Sequence, residues 1–321
     1  MPARLFAVRQ AIKASLFAAL ALSSLAAAGC SFSSSGPVKV DPKAFSWTGD
    51  LAAPGTLFVR DMKGTITVVP SPDNAVHVSA ATRWTRGDPS KDVQFVVTPA
   101  ANTVTICAIW NNGNCSPERY TDTKRRRGLS FSWSTKSDAS VEFTIQVPAG
   151  VRVDALMVQG DVNVRSAGPV RARTVSGNLK IGTAVGPVDA ETVNGNVDVR
   201  MTTVGASETG AVRAVTKNGD AVAWVPQVTD GRLEASTLNG EIGTDFGEIP
   251  SDRVNHIRKF STSIGAGTRE YVVQTLNGSA WLRLINADGT VGAKGAEGAV
   301  SSPAAAAQKA AKPGVSKKRN Q

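Results

Sequence analysis

The residue types that carry most enzyme chemistry are thinly supplied in this chain. Its two histidines, His77 and His256, stand in dissimilar contexts, and Val76-His77-Val78 reads as a strand with the imidazole outward. There are three cysteines, no Cys-x-x-Cys and no histidine close to any of them, so no metal site and no cofactor are expected. Polar residues do recur at a fixed place: Asp161, Asn178, Asn196, Asp220 and Glu241 each follow a glycine. Such a column could hold Ca²⁺ or a sugar, although corner residues are commonly polar only because corners are wet. Glycoside hydrolysis needs two carboxyl groups converging at ~5–9.5 Å, whereas these acids are spread along the repeat. No catalytic residue is therefore assigned and the chain is expected not to be an enzyme. A β-helix enzyme acting on polysaccharide is the alternative. Arg171, Arg173, Arg200, Arg213 and Arg232 are candidates for a repeating polar surface facing a glycan or an envelope protein, on a face the sequence does not specify.

The element that must position these groups is a short repeat. Val158-Gln159-Gly160-Asp161-Val162 is followed by Val175-Ser176-Gly177-Asn178-Leu179 and Val193-Asn194-Gly195-Asn196-Val197. Related steps recur around Gly219, Gly240 and Gly278. The glycine intervals are 17, 18, 24, 21 and 38, the last close to two periods, with room for a coil that lacks its glycine. Residues between the glycines alternate apolar and polar, as a half-buried strand requires. Glycine supplies the positive φ of a tight corner. One such coil cannot bury its apolar face, but stacked coils ~4.8 Å apart can, which predicts a β-solenoid some 30 Å long. Upstream, residues 56–69, 75–84, 92–110 and 140–148 are β-patterned without that repeat and read as antiparallel hairpins.

The N-terminus is an address. Arg4, Arg9 and Lys13 precede an uncharged run of 16 residues, Ala14–Gly29, too short to span a bilayer comfortably. Ala27-Ala28-Gly29-Cys30 resembles a lipobox, with alanine where leucine is preferred. It implies cleavage before Cys30 and lipidation of that thiol; ordinary signal-peptidase cleavage is the competing reading. Two or three acyl chains hold a protein stably on a membrane, and Ser31 leans toward the outer one. Export also predicts that Cys107 and Cys115 form a disulfide, with the Asn111-Asn112-Gly113 turn folding the chain back between them.

Net charge is +10, which invites a nucleic-acid reading. Three of those charges sit in the leader and four in the tail from residue 286, leaving +3 on the body. With no nucleic-acid motif, and with export, nucleic acid is excluded as a partner. The cluster Lys124-Arg125-Arg126-Arg127 reads as a solvated loop, and the Ala/Gly/Lys/Pro tail as disordered.

Val141–Gly150, ending in Val-Pro, the Gly-Asp-Val and Asn-Gly-x-Val units, and Gly265-Ala266-Gly267 ahead of Tyr271–Leu282 resemble the putative adhesin family of bacterial envelope proteins. The likeness covers roughly residues 55–285. It implies an all-β fold, a right-handed parallel β-helix (β-solenoid) with flanking antiparallel strands, and supplies no catalytic residues. The expected organisation is a lipoprotein signal peptide (1–29), a tether (30–50), an N-terminal antiparallel β region (51–150), β-solenoid repeats (151–285) and a disordered basic tail (286–321). The expected role is a non-catalytic, lipid-anchored envelope protein, an adhesin or binding scaffold. A regulatory or assembly role in the periplasm is a third possibility.

Overall fold

Apolar residues at every second position, punctuated by glycine, give a chain built of strands. The computed structural model describes residues 39–40, 44–89, 92–111, 113–118, 120–121, 137–183, 186–201, 211–227, 230–249 and 256–286, and contains no α-helix among them. Cys30, the leader, the cluster 124–127 and the tail from 287 lie outside the described residues.

The strands run β1 (Lys39–Val40), β2 (Phe45–Asp50), β3 (Thr56–Pro70), β4 (Ala75–Trp84), β5 (Val93–Ala100), β6 (Thr103–Trp110), β7 (Asn114–Cys115), β8 (Tyr120–Thr121) and β9 (Ser140–Val147). There follow β10 (Arg152–Ser166), β11 (Val170–Ser176), β12 (Leu179–Thr183), β13 (Val188–Asn194), β14 (Val197–Met201), β15 (Val212–Val215) and β16 (Ala221–Val225). The last are β17 (Gly231–Asn239), β18 (Ile242–Thr244), β19 (Arg258–Ile264), β20 (Glu270–Asn277) and β21 (Ala280–Leu284). All but β7 and β8 belong to one 19-stranded, mostly parallel sheet.

Two parallel ladders organise it. β3 and β10 run unbroken through a glycine corner and pair in parallel from Thr56↔Arg152 to Val68↔Val164. Beyond β10 each coil divides at its glycine. The first ladder continues β11–β13–β15–β20–β17 and the second β12–β14–β16–β21–β18. The register is set by burial: Val153, Val170, Val188, Val212, Tyr271 and Leu233 face inward opposite one another, all at most 3% exposed. A slip of one residue would turn this whole set to solvent. The sheet thus folds about the glycine column, barrel-like and nearly closed, around one continuous apolar interior.

Three features depart from the sequence expectations. Parallel pairing crosses residue 150, because β3 pairs in parallel with β6, β9 and β10, while antiparallel pairs flank it (β5 on β6, β4 on β9, β2 on β4). Residues 39–40 and 45–50, which composition assigns to the tether, are strands on β4. Phe45 and Trp47 pack on the core there, and the Phe45 ring stacks 4.9 Å from that of Phe95. Finally, the 38-residue interval after Gly240 is not two coils. β19 turns back antiparallel on β17, and β20–β21 then insert between β15–β16 and β17–β18. The spatial order of corner glycines is therefore 64, 160, 177, 195, 219, 278, 240, and Gly64 adds a coil that the repeat search does not reach.

Candidate functional site

The residues singled out by spacing meet at the corner. A Cβ on Gly160, Gly177, Gly195, Gly219, Gly278 or Gly240 would lie 1.8–2.2 Å from the carbonyl oxygen of the glycine before it in the stack. Gly240 alone of these lacks a positive φ, so close approach rather than backbone conformation requires glycine there.

Three polar columns flank the glycines. Three residues before the glycine stands a buried threonine: the Oγ1 of Thr174, Thr192, Thr216, Thr275 and Thr237 donates to the carbonyl of Gly160, Gly177, Gly195, Gly219 and Gly278 respectively, at 2.8–3.2 Å. One residue before it, Asn218 Nδ2 donates to Asn194 Oδ1, Asn277 Nδ2 to Asn218 Oδ1 and Asn239 Nδ2 to Asn277 Oδ1, at 2.8–2.9 Å. One residue after it, Oδ1 of Asp161, Asn178, Asn196 and Asp220 accepts from the amide of Asn178, Asn196, Asp220 and Ser279 in turn, at 2.7–2.9 Å. The column that resembles a Ca²⁺ or sugar ladder thus turns a side-chain oxygen of Asp161, Asn178, Asn196 and Asp220 onto the next coil's backbone, supplying acceptors the corner would otherwise lack, while Glu241 joins through its backbone carbonyl, which accepts from the Ala280 amide. Among the described residues no group of three His, Cys, Asp or Glu could hold a metal. Thr192→Val keeps the shape and removes the donor, and is expected to lower unfolding free energy by about 1–2 kcal/mol in urea melts. Thr192→Ser should recover most of it.

Of the candidate arginines, Arg171, Arg173 and Arg213 share the outer side of the first ladder and are held by acids on adjoining strands. Arg171 lies 3.8 Å from Asp154 and 3.6 Å from Asp189, Arg173 3.3 Å from Asp189, and Arg213 3.0 Å from Asp189 and 3.4 Å from Glu191. This face neutralises itself. At its far end Arg232 and Glu234 line an open cleft of about 240 Å³ with Glu270, Val272 and Gln274, and Glu234 also pairs with Lys259 at 3.0 Å. Arg200 is on the other ladder, over the Trp224 ring at 5.3 Å and paired with Asp198.

Two buried groups escape a reading by spacing. Arg60, 4% exposed, pairs with Asp154 at 2.8 Å and donates to the carbonyls of Asp154, Val59 and Pro117. Burial lowers its pKa, with Asp154 opposing the shift. Asp61, fully buried, accepts from Trp110 Nε1 at 3.0 Å and the Met62 amide at 2.7 Å through Oδ1, while Oδ2 has no partner. Burial pushes its carboxyl up to about 7. His77 is partly exposed, as its strand position predicts, and its Nε2 lies 2.9 Å from Asp73. His256 occupies a positive-φ turn.

Cys107 and Cys115 are bonded, and the chain turns at Asn111 with φ 50°. The two cysteines do not face one another in a ladder: β6 pairs with β5 and β3, and β7 with β8.

No protein-family model and no curated protein matches this chain. Solved structures do. A putative cell adhesion protein from Clostridium sporogenes ATCC 15579 shares 10% identity over 75% of this chain and 100% of its own, with a TM-score of 0.42. A putative adhesin from Bacteroides fragilis NCTC 9343 shares 11% over 76% and 98%, with a TM-score of 0.28.

Proposed function

We propose that this chain is a non-catalytic, lipid-anchored protein of the bacterial cell envelope, an adhesin or binding scaffold whose body is a right-handed parallel β-solenoid. The observation that carries the reading is the pair of uninterrupted ladders. They place polar and aromatic side chains in rows one strand apart, a geometry suited to an extended partner and needing no pocket. The small corner residues and the columns that bind each coil to the next support the solenoid. Ala27-Ala28-Gly29-Cys30 supports the anchor, and Ser31 the outer-membrane address. The non-catalytic assignment draws on Asp61: among the described residues, the one carboxyl group raised toward neutrality is sealed in the core, out of a substrate's reach.

Growth with labelled palmitate, together with protease treatment of intact cells, tests the assignment. Wild-type protein should incorporate label and fractionate with the outer membrane, Cys30→Ser should do neither, and protease should digest the body from whole cells. Label retained by Cys30→Ser would remove the anchor, and protection until the outer envelope is breached would replace an adhesin with a periplasmic scaffold.

A further inference from the structure

The two outer faces differ in how their cations are arranged. On the first ladder, successive strands in register carry Asp154, Arg171, Asp189 and Arg213, so every arginine meets an acid across the strand. On the second, the corresponding row is Arg165, Gly182, Arg200, Trp224 and Arg283, with no acid in it. Its arginines recur on alternate strands, roughly 9.6 Å apart, over a row of roughly 19 Å. Lys180 is diagonal to Arg165 on the adjoining strand. Arg165 and Lys180 are exposed and have no ion pair among the described residues.

The tryptophans organise this row. The Arg200 guanidinium lies over Trp224 at 5.3 Å and that of Arg283 over Trp281 at 4.5 Å. Trp281 itself packs against Gly243, where a Cβ would come within 1.9 Å of its ring. Stacked on indole, the guanidinium groups are held along the face, which reduces the entropy lost when they meet a carboxylate. Asp198 pairs with Arg200 and Asp245 with Arg283, and at the corner edge of the face Asp161 and Asp220 each turn an oxygen onto the next coil's backbone, which leaves Arg165 and Lys180 as its cations with no ion pair among the described residues.

We propose that this face binds an extended acidic polysaccharide, its carboxylates meeting Arg165 and Lys180 and then the indole-backed Arg200 and Arg283. A linear polyanion with charge on successive or alternate sugars matches a straight row of cations with a period of two strands. A lipid surface fits less well, because each tryptophan ring is covered by an arginine and is not free to insert. The proposal rests on the binding-scaffold reading above and names its ligand class.

The test uses the purified full chain with polygalacturonate as probe, neutral dextran as control and phosphatidylglycerol vesicles as the competing surface. Affinity electrophoresis should show retention by polygalacturonate alone, weakened by salt. Arg165→Gln with Lys180→Gln should weaken it at least about tenfold. Arg171→Gln with Arg213→Gln, which removes the same charge from the other face, should leave it within about twofold. Thermal melts of both double variants establish that each is folded. Equal loss in both variants, no retention by polygalacturonate, or capture by the vesicles alone would each overturn the proposal. A chain that ignores polygalacturonate yet coats cells in a manner indifferent to Arg165 and Lys180 removes this site and leaves the scaffold standing. A chain that retains neither cells nor polymer removes both.

Discussion

Gly195→Ala is expected to abolish folding or to cost more than about 4 kcal/mol, while Gly182→Ala leaves stability within about 0.5 kcal/mol. The two glycines are 13 residues apart in neighbouring coils and are both part of the parallel sheet region. At Gly195 the added methyl would lie 2.0 Å from the Gly177 carbonyl oxygen, and φ is 146°, which L side chains rarely adopt. Neither strain can relax alone. The Gly177 carbonyl already accepts the Thr192 hydroxyl, and the Gly195 amide donates to Asn218, so moving the corner apart breaks bonds to both adjoining coils. At Gly182 the nearest atom to the added methyl is Arg165 Cγ at 3.7 Å, an ordinary contact, and no positive φ is required. Urea melts of the two variants make the comparison. Equal midpoints would mean that the corner glycines are not packed backbone to backbone, and the stacking register described above would fall with them.

The corner column was the most legible part of the chain because its two requirements, close approach and positive φ, both select glycine and recur with the coil. The threonine three residues ahead was equally open to reading: Thr174, Thr192, Thr216, Thr237 and Thr275 all hold that offset. Its role was hidden because alternation alone marks an inward position as apolar, and a threonine there looks like a strand former. Gly64 follows the same cadence, in Met62-Lys63-Gly64-Thr65-Ile66, but stands 96 residues before the next corner, too far for a period to register. The insertion of β20–β21 between earlier coils could not be read at all. Leu238-Asn239-Gly240 and Leu276-Asn277-Gly278 present the same corner, so local pattern is indifferent to which one stacks on Gly219. The arginine rows needed the register itself. Alternation predicts that Arg171 and Arg200 both point outward, but only strand pairing shows that one row alternates arginine with acid from strand to strand and the other does not.

Asp61 leads to the second large effect, a stability that falls as pH rises from about 4 to about 7. It occupies the place that threonine takes in later coils, three residues before its glycine, but its carboxyl faces Trp110 and the core instead of a neighbouring carbonyl. Burial raises its folded pKa to about 7, against roughly 3.9 for an unfolded aspartate. Between these values the folded chain holds a proton that the unfolded chain has released. Stability from this group is therefore fully present below about pH 4, is lost as pH climbs toward 7, and is level above that, a fall of at most about 4 kcal/mol. Asp138, Asp73 and Asp230 are shifted the opposite way, by hydrogen bonds led by the Arg86 amide, the Ala75 amide and the Thr268 hydroxyl respectively. What they contribute is lost only as pH falls below the ordinary carboxylate range, so the two windows do not overlap. Asp61→Asn keeps an oxygen for Trp110 Nε1 and the Met62 amide and carries no charge at any pH. Its unfolding free energy should be nearly flat from pH 4.5 to 8, and its advantage over wild type should grow with pH. The slope is the informative quantity, because the new amide adds its own burial cost at every pH. A wild-type curve already flat over that interval, or a variant retaining the wild-type slope, would mean that Asp61 is not the group that titrates.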